Sequence, residues 1–287
     1  MISGRTRVFA LLGDPVAHSR SPELWASFIE QAALDATYVC LPTPAATSGD
    51  QIVAAVRALG FAAVNLTVPH KETVVAHLDR CTASATRAGA VNLITRASDG
   101  LVGHNTDGGG LLLSLSLRWG WRAAGARVLL LGAGGAARAI AAELLVAGAV
   151  QVIVLNRSVS RAQELHAHVR SKLGERAAAV QVGPLLPHAF AAAVATSTLI
   201  VNATSGGADA AIAELDARAV PSDALWVDVN YWQADAPLLA RLRQRRVRVD
   251  DGYGMLIGQA VLGFGLATGV RLDARRAFDA LQQLRIG

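Results

Sequence analysis

The sequence predicts an α/β protein, and three observations carry that prediction. Apolar strands alternate with amphipathic helices from residue 6 onward, a new strand, glycine turn, helix and strand begin at residue 126, and polar residues gather in the loops that follow strands. At 287 residues, with 52% hydrophobic and 17% charged, the chain can bury a large core in one or two domains and reads as a soluble globular protein.

Each element follows from its local pattern. "TRVFALLG" (6–13) is a buried strand, "SPELWASFIEQAAL" (21–34) an amphipathic helix with Leu24, Phe28 and Ile29 on one face, and "ATYVCLPT" (36–43) a second strand. Strand, helix and strand in succession imply parallel pairing. "GDQIVAAVRALG" (49–60) is helical, "AAVNLTVPHK" (62–71) is a strand running into a loop, and "GLVGHNTDGGGLLLSLS" (100–116) passes from a hairpin-like segment through a loop into a helix. From 126, "ARVLLLGAGGAARAIAAELLVAGAVQVIVLNRS" builds the second unit, with further strands at "TLIVNATS", "ALWVDVNY" and "RRVRVDDG". Two helices, about 255–269 and 273–285, close the chain. The glycine-bearing unit is complete before them, so they are expected to return to the first domain. The expected domains are residues 1–107 plus 253–287, and residues 108–252.

Composition narrows the function classes. A net charge of +5 is spread along the chain and aromatics make up only 5%, so a nucleic-acid partner is not expected. "RLRQRRVRV" (241–249) reads as a solvated helix end entering a strand. The two cysteines, Cys40 and Cys81, lack metal-ligand spacing and build no disulfide framework, which points to a reducing cytoplasm. The apolar run after Arg5 and Arg7 is too short for a signal peptide, and the most apolar region, 128–155, contains Arg138 and Glu143, so no membrane association is expected. His166 and His168 belong to a solvated helix face with no completing ligand cluster, and no metal is expected.

"GAGGAA", Gly132 to Ala137, follows an apolar strand and opens a helix. Gly132, Ala133, Gly134, Gly135 and Ala136 form a tight turn that a pyrophosphate can approach closely, its charge met by free N–H groups at the helix start, as in a Rossmann-like dinucleotide domain. The second strand ends at Asn156, where an NAD site usually places an acidic residue. Here "NRSVSR" offers Arg157, Ser158 and Arg161 to a 2′-phosphate, which predicts NADP; the plainer role for the same residues is to cap and solvate the next helix.

The first domain is then left to hold the substrate. "NLTVPHK" sets Asn65, Thr67 and Lys71 at a strand end and the following loop, and "GHNTDGGG" sets Asn105 and Asp107 before a helix. A lysine oriented by an aspartate is a proton donor for an alkoxide formed by carbonyl reduction. Taken singly, each residue is equally a surface lysine or a helix-capping aspartate. "HSRSP" (18–22) poses a similar choice: Ser21 can cap a helix begun by Pro22, but that leaves Ser19 idle.

Together these stretches resemble the shikimate/quinate dehydrogenase family, over nearly the whole chain and in order: "HSRSP", "NLTVPHK", "AVN" (90–92), "NTD" (105–107), "GAGGAAR", "NRSVSR", "NATS" (202–205), Tyr231 and "GMLIGQA" (254–260). The resemblance implies an N-terminal substrate domain and a Rossmann-like NADP-binding domain with a cleft between, acting on a small hydroxylated ring acid. It implies that Ser19, Ser21 and Tyr231 bind the substrate carboxylate, that Asn65, Thr67, Asn92, Asp107 and Gln259 hold ring hydroxyls, and that Lys71 and Asp107 are the catalytic pair. It adds Thr204 and Gly252 to the cofactor set. Leu93, His70, Trp232-Gln233 and Ala236 depart from the family pattern, and leave open whether the acid is 3-dehydroshikimate/shikimate, quinate or an amino-shikimate, or whether the chain is a sensor without turnover. Oligomeric state is left as monomer or homodimer.

Overall fold

The computed structural model describes residues 2–204, 210–234 and 236–283. The chain divides into two compact units, Met1–Gly110 with Ile257–Gly287, and Leu111–Leu256.

The first unit contains β1 (Arg7–Gly13), α1 (Ser21–Gln31), β2 (Ala36–Pro42), α2 (Gly49–Ala58), β3 (Ala63–Leu66), β4 (Arg80–Cys81), α3 (Ala83–Ala88), β5 (Leu93–Ala97), β6 (Gly100–His104) and the start of α4 (Asp107–Trp119). Its sheet runs in the order β2-β1-β3-β5-β6-β4. β1 pairs in parallel with β2 and β3, as the strand–helix–strand pattern predicts, whereas β5 is antiparallel to both β3 and β6. Only two residues separate β5 from β6, too few for a crossover, so the chain must reverse there. Period-two alternation sends Ala10, Leu12, Val64 and Leu66 into one apolar cluster with α2 residues Ile52, Val53 and Val56. The opposite face carries Phe9 and Tyr38, whose rings meet Trp25 at 5.0 and 4.9 Å, with Phe264 also against Trp25 at 5.4 Å.

The second unit comprises β7 (Arg127–Leu131), α5 (Gly135–Val146), β8 (Gln151–Asn156), α6 (Val159–Leu173), β9 (Val180–Pro184), α7 (Pro187–Val194), β10 (Leu199–Asn202), α8 (Ala210–Ala213), β11 (Leu225–Asp228), α9 (Pro237–Gln244) and β12 (Arg248–Asp250). All its strand pairs are parallel, in the order β12-β11-β10-β7-β8-β9. This is the doubly wound arrangement in which the strand order reverses between β7 and β10, leaving a crevice at their carboxyl ends. Parallel strands covered on both faces need near-continuous apolar runs, and Val128 to Leu131 are all fully buried.

The closing helices are α10 (Tyr253–Thr268) and α11 (Ala274–Gln283). The division between units falls inside α4, after Gly110, and inside α10, after Leu256.

Candidate active site

In the first unit the reversal at β5 assembles the site. Because β5 runs antiparallel to β3, the residue just before β5, Asn92, arrives beside the carboxyl end of β3, where Asn65 sits; the register pairs Asn65 with Leu93. β6 then returns with His104 opposite Leu93 and delivers Asn105, Thr106 and Asp107 to the same place. Three segments distant in sequence thus meet at one end of the sheet.

Their side chains form one hydrogen-bonded network. Lys71 Nζ lies 2.6 Å from Asp107 Oδ2, with the lysine side chain 18% and the aspartate 6% exposed. Asn92 Nδ2 donates to Asp107 Oδ1 at 2.7 Å and to Thr106 Oγ1 at 2.9 Å, and Asn92 Oδ1 accepts from the Thr106 amide. Asn65 Nδ2 donates to the Asn92 carbonyl at 3.0 Å, and Asn65 Oδ1 accepts from the Tyr38 hydroxyl at 3.1 Å. Asn105 Oδ1 accepts from the Asp107 amide, so Asn105 rather than Asp107 supplies the cap, and Asp107 is the first residue of α4. There its negative charge faces the positive end of the helix dipole. A buried carboxylate with both oxygens bonded is held in one orientation, which a proton-transfer partner requires.

The Lys71 loop is pinned on both sides. The Val91 amide donates to the Lys71 carbonyl at 2.7 Å. His70, one of the departures from the family pattern, is 1% exposed and its Nε2 lies 3.0 Å from the Thr43 carbonyl, which as an acceptor requires the proton on that nitrogen. Leu93, another departure, is wholly buried.

The serine loop follows β1. The Ser21 amide donates to Ser19 Oγ at 3.2 Å, and Ser21 is the first residue of α1, with Arg20 at the cap position. Ser21 therefore does not cap the helix, and Ser19 is the serine bonded to its start. Burial pushes the neighbouring Cys40 thiol up, partly offset by its hydrogen bond with Ser19. Thr67 follows β3, its amide donating to the Leu12 carbonyl. Gln259 projects from α10, where a Cβ on Gly110 would stand 2.7 Å from Gln259 Cα and one on Gly258 2.9 Å from the Gly110 carbonyl carbon. These two glycines let α4 and α10 approach backbone to backbone, which fixes the height of Gln259 beside α4.

In the second unit Gly132 takes φ +104°, and a Cβ there would lie 2.7 Å from the Ala203 carbonyl oxygen. That close approach joins the ends of β7 and β10 at the strand-order reversal. Gly134 is the cap residue of α5, with open space where a Cβ would point, and Ala133, Gly135 and Ala136 complete the turn. The start of α5 thus has open space at Gly134 and helix-start N–H groups that lack intrahelical acceptors, a setting that fits a pyrophosphate. Ser158 caps α6, accepting from the Arg161 amide, and Asn156 Nδ2 donates to the Ser158 carbonyl. The capping role is real; Arg157, just after β8, and Arg161, in the first turn of α6, are both exposed residues. A guanidinium is chemically suited to a phosphate.

A second polar network backs the crevice. Asp228, 3% exposed, accepts from Asn202 Nδ2 at 2.7 Å and from the Asn230 amide at 3.0 Å. Burial raises its carboxyl above the usual range, and these hydrogen bonds only partly offset the shift. Asn202 Oδ1 accepts from Thr204 Oγ1 at 2.8 Å, and Asn230 Nδ2 donates to the Thr204 carbonyl. Gly252, at φ +85°, has no room for a Cβ against the Asp228 carbonyl. Thr204 and Gly252 are thereby set beside β10 and β11. Ser205, the last residue of the "NATS" match, lies outside the described residues. Tyr231 stands on a short 3₁₀ turn with its ring edge-on to Trp232 at 5.0 Å and to Tyr253 at 6.5 Å.

The structure thus bonds Asn65, Asn92, Lys71 and Asp107 into one network, sets Ser19, Ser21, Thr67 and Gln259 in the same unit, and places Tyr231 in the other unit with Gly132, Arg157 and Thr204. Sequence reasoning missed Tyr38 and Thr106. Thr106 sat inside a quoted motif, whereas Tyr38 carried no local signal beyond a strand pattern. His166 and His168 lie on α6, and among the described residues no group of three or more His, Cys, Asp or Glu is placed to hold a metal ion. Among those residues no helix is long and apolar enough to cross a membrane.

Comparison with known proteins agrees with this arrangement. Residues 11–94 match the shikimate dehydrogenase substrate binding domain, and residues 116–228 match shikimate / quinate 5-dehydrogenase. The chain is 43% identical over 277 residues to the shikimate dehydrogenase (NADP(+)) of Acidiphilium cryptum, covering 94% of this chain and 93% of that protein. It is 40% identical over 293 residues to the enzyme of the same name from Rhodospirillum rubrum, covering 100% and 99%. Among solved structures, the shikimate 5-dehydrogenase of Thermus thermophilus in complex with NADP(H) and shikimate aligns with a TM-score of 0.81 at 34% identity, over 97% of this chain and 99% of that one.

Proposed function

The chain belongs to the shikimate dehydrogenase family, as an NADP-dependent oxidoreductase interconverting shikimate and 3-dehydroshikimate, and from that premise we propose how its own residues divide the work. The observation that carries the reading is the Lys71–Asp107 pair, 2.6 Å apart and largely buried at the end of the substrate sheet. NADP⁺, when bound, supplies the hydride acceptor.

As the ring hydroxyl is oxidised, the hydride on its carbon passes to NADP⁺ and the hydroxyl proton to Lys71 acting as a free amine; in the reverse direction the resulting ammonium gives that proton to the ketone oxygen. Asp107 orients the ammonium group, and Asn92 orients Asp107. Asn65, Thr67, Asn92, Asp107 and Gln259 hold the ring hydroxyls, while Ser19, Ser21 and Tyr231 hold the carboxylate. Hydroxyl donors suit a compact anion that must bind and leave repeatedly, and a site built from amides and hydroxyls rejects acids that lack the matching groups. On the cofactor side, the Gly132–Ala136 turn receives the pyrophosphate, Asn156, Arg157, Ser158 and Arg161 receive the adenosine end, and Thr204 and Gly252 border the crevice. Two thiols that are free in the structure, Cys40 and Cys81, accord with work in the cytoplasm.

The test is the initial rate of NADP⁺ reduction with shikimate, quinate and an amino-shikimate, with NAD⁺ in parallel. Fast turnover of shikimate with NADP⁺ is expected. Turnover of quinate alone would move the substrate, and NADP⁺ binding without turnover of any acid would make the chain a sensor.

A further inference from the structure

Tyr38 lies on β2 and Asn65 on β3, with β1 between them. The register sets Tyr38 opposite Phe9 and Asn65 opposite Leu11, and because Phe9 and Leu11 are two apart, Tyr38 and Asn65 share one face of the sheet. Ala63 pairs with Phe9 on the far side and presents only a methyl group, so the Tyr38 ring can cross to β3. The ring is buried, 8% exposed, with its centroid 4.9 Å from that of Trp25, and its hydroxyl donates to Asn65 Oδ1 at 3.1 Å.

The consequence lies in the orientation of the Asn65 amide. Its nitrogen faces the Asn92 carbonyl, which can only accept, and its oxygen therefore faces the Tyr38 hydroxyl, which donates. Two bonds from opposite ends fix the amide against a flip. They leave one Asn65 N–H for a ligand, so a ring hydroxyl meets Asn65 as an acceptor.

We propose that Tyr38 is a positioning residue of the substrate site, holding Asn65 so that its remaining N–H is presented to a hydroxyl of the ring acid. This rests on Asn65 being a ring-hydroxyl ligand. The bond is formed before substrate arrives, so its loss weakens ground state and transition state alike and appears in KM rather than kcat.

Tyr38→Phe keeps the ring against Trp25 and removes only the hydroxyl. Steady-state kinetics of Tyr38→Phe, Asn65→Ala and the double variant, with thermal melts to verify folding, decide the matter. Tyr38→Phe is expected to raise the shikimate KM about fivefold to tenfold, the scale of one neutral hydrogen bond, with kcat and the NADP⁺ KM unchanged within twofold. In the Asn65→Ala background the same change should add less than twofold. A Tyr38→Phe KM within twofold of wild type, beside a raised KM in Asn65→Ala, would overturn the proposal, as would an equal effect in both backgrounds. An unchanged KM in Asn65→Ala would instead remove the ring-hydroxyl role of Asn65 and the proposal with it.

Discussion

The two units prepare for their ligands in opposite ways. In the first, polar side chains are already bonded to one another: Asn65, Asn92, Thr106, Asp107 and Lys71 form one buried network. In the second, the Gly132–Ala136 turn, proposed to receive the pyrophosphate, is nearly bare backbone, with glycines at Gly132 and Gly134, and Arg157 and Arg161 nearby in sequence are exposed. The difference follows from the ligands. A small ring acid is recognised by where each hydroxyl points, which demands fixed side-chain amides and carboxylates, whereas a pyrophosphate needs close approach and N–H groups, which side chains only obstruct. Removing a side chain should therefore impair use of the ring acid in the first unit, through kcat or KM according to the residue, and adding one should cost NADP⁺ affinity in the second.

The largest effect is expected at the proton-transfer pair. Lys71→Ala should lower kcat about 10²- to 10⁴-fold while the Kd of NADP⁺, measured by fluorescence titration, stays within about twofold. Equal loss of both would make Lys71 a structural residue and erase the contrast between the units. Next comes the glycine turn. Gly132→Ala places a Cβ 2.7 Å from the Ala203 oxygen at a positive φ, and should weaken NADP⁺ binding at least about tenfold and destabilise by about 1–3 kcal/mol, with shikimate affinity unmoved. A titration showing normal NADP⁺ affinity would place the cofactor elsewhere. Losing the two arginines should have a smaller effect: Arg157→Ala with Arg161→Ala should raise the NADP⁺ KM about tenfold, leave the NAD⁺ KM unchanged and alter stability by no more than about 0.5 kcal/mol.

The smallest effect concerns His104, next to the network. It is buried, with Nε2 2.8 Å from Thr95 Oγ1, and burial, with a smaller contribution from the positive charge of Arg80, holds its pKa below the ordinary value. The folded chain thus binds fewer protons at this site than the unfolded chain. The contribution to stability is fully present above about pH 6.5 and is lost as the pH falls from there through the folded pKa. Melting temperatures of wild type and His104→Gln between pH 5 and 8 should show this acid-side slope in the first and not in the second; parallel curves would assign it to other groups.

What could be read from the sequence was which polar residues and glycines gather at strand ends. Lys71, Gly132 and Gly134 sit in loops, and Asp107 opens the helix after one; their unusual residue types announce themselves, and α/β topology requires such loops at the carboxyl ends of strands. Tyr38 was not legible, because in "ATYVCLPT" it is an ordinary strand aromatic; only the registry of β2, β1 and β3 aims its hydroxyl at Asn65, 27 residues away. The reversal of β5 was visible only as a hairpin-like segment, yet it is what sets Asn92 beside Asn65. Ser21 misled in the other direction: Ser-Pro at a helix start suggests a cap followed by the first residue, but the helix begins one residue earlier.

The measurement that bears most directly on a preformed substrate site is a crystal structure of the chain with shikimate and NADP⁺ bound. Asn65, Asn92 and Asp107 should keep their mutual hydrogen bonds, and Lys71 Nζ should lie within about 2.6–3.2 Å of the ring hydroxyl to be oxidised. A shikimate molecule with that hydroxyl out of reach of Lys71, or a network broken and rebuilt around the ring, would contradict a preformed site.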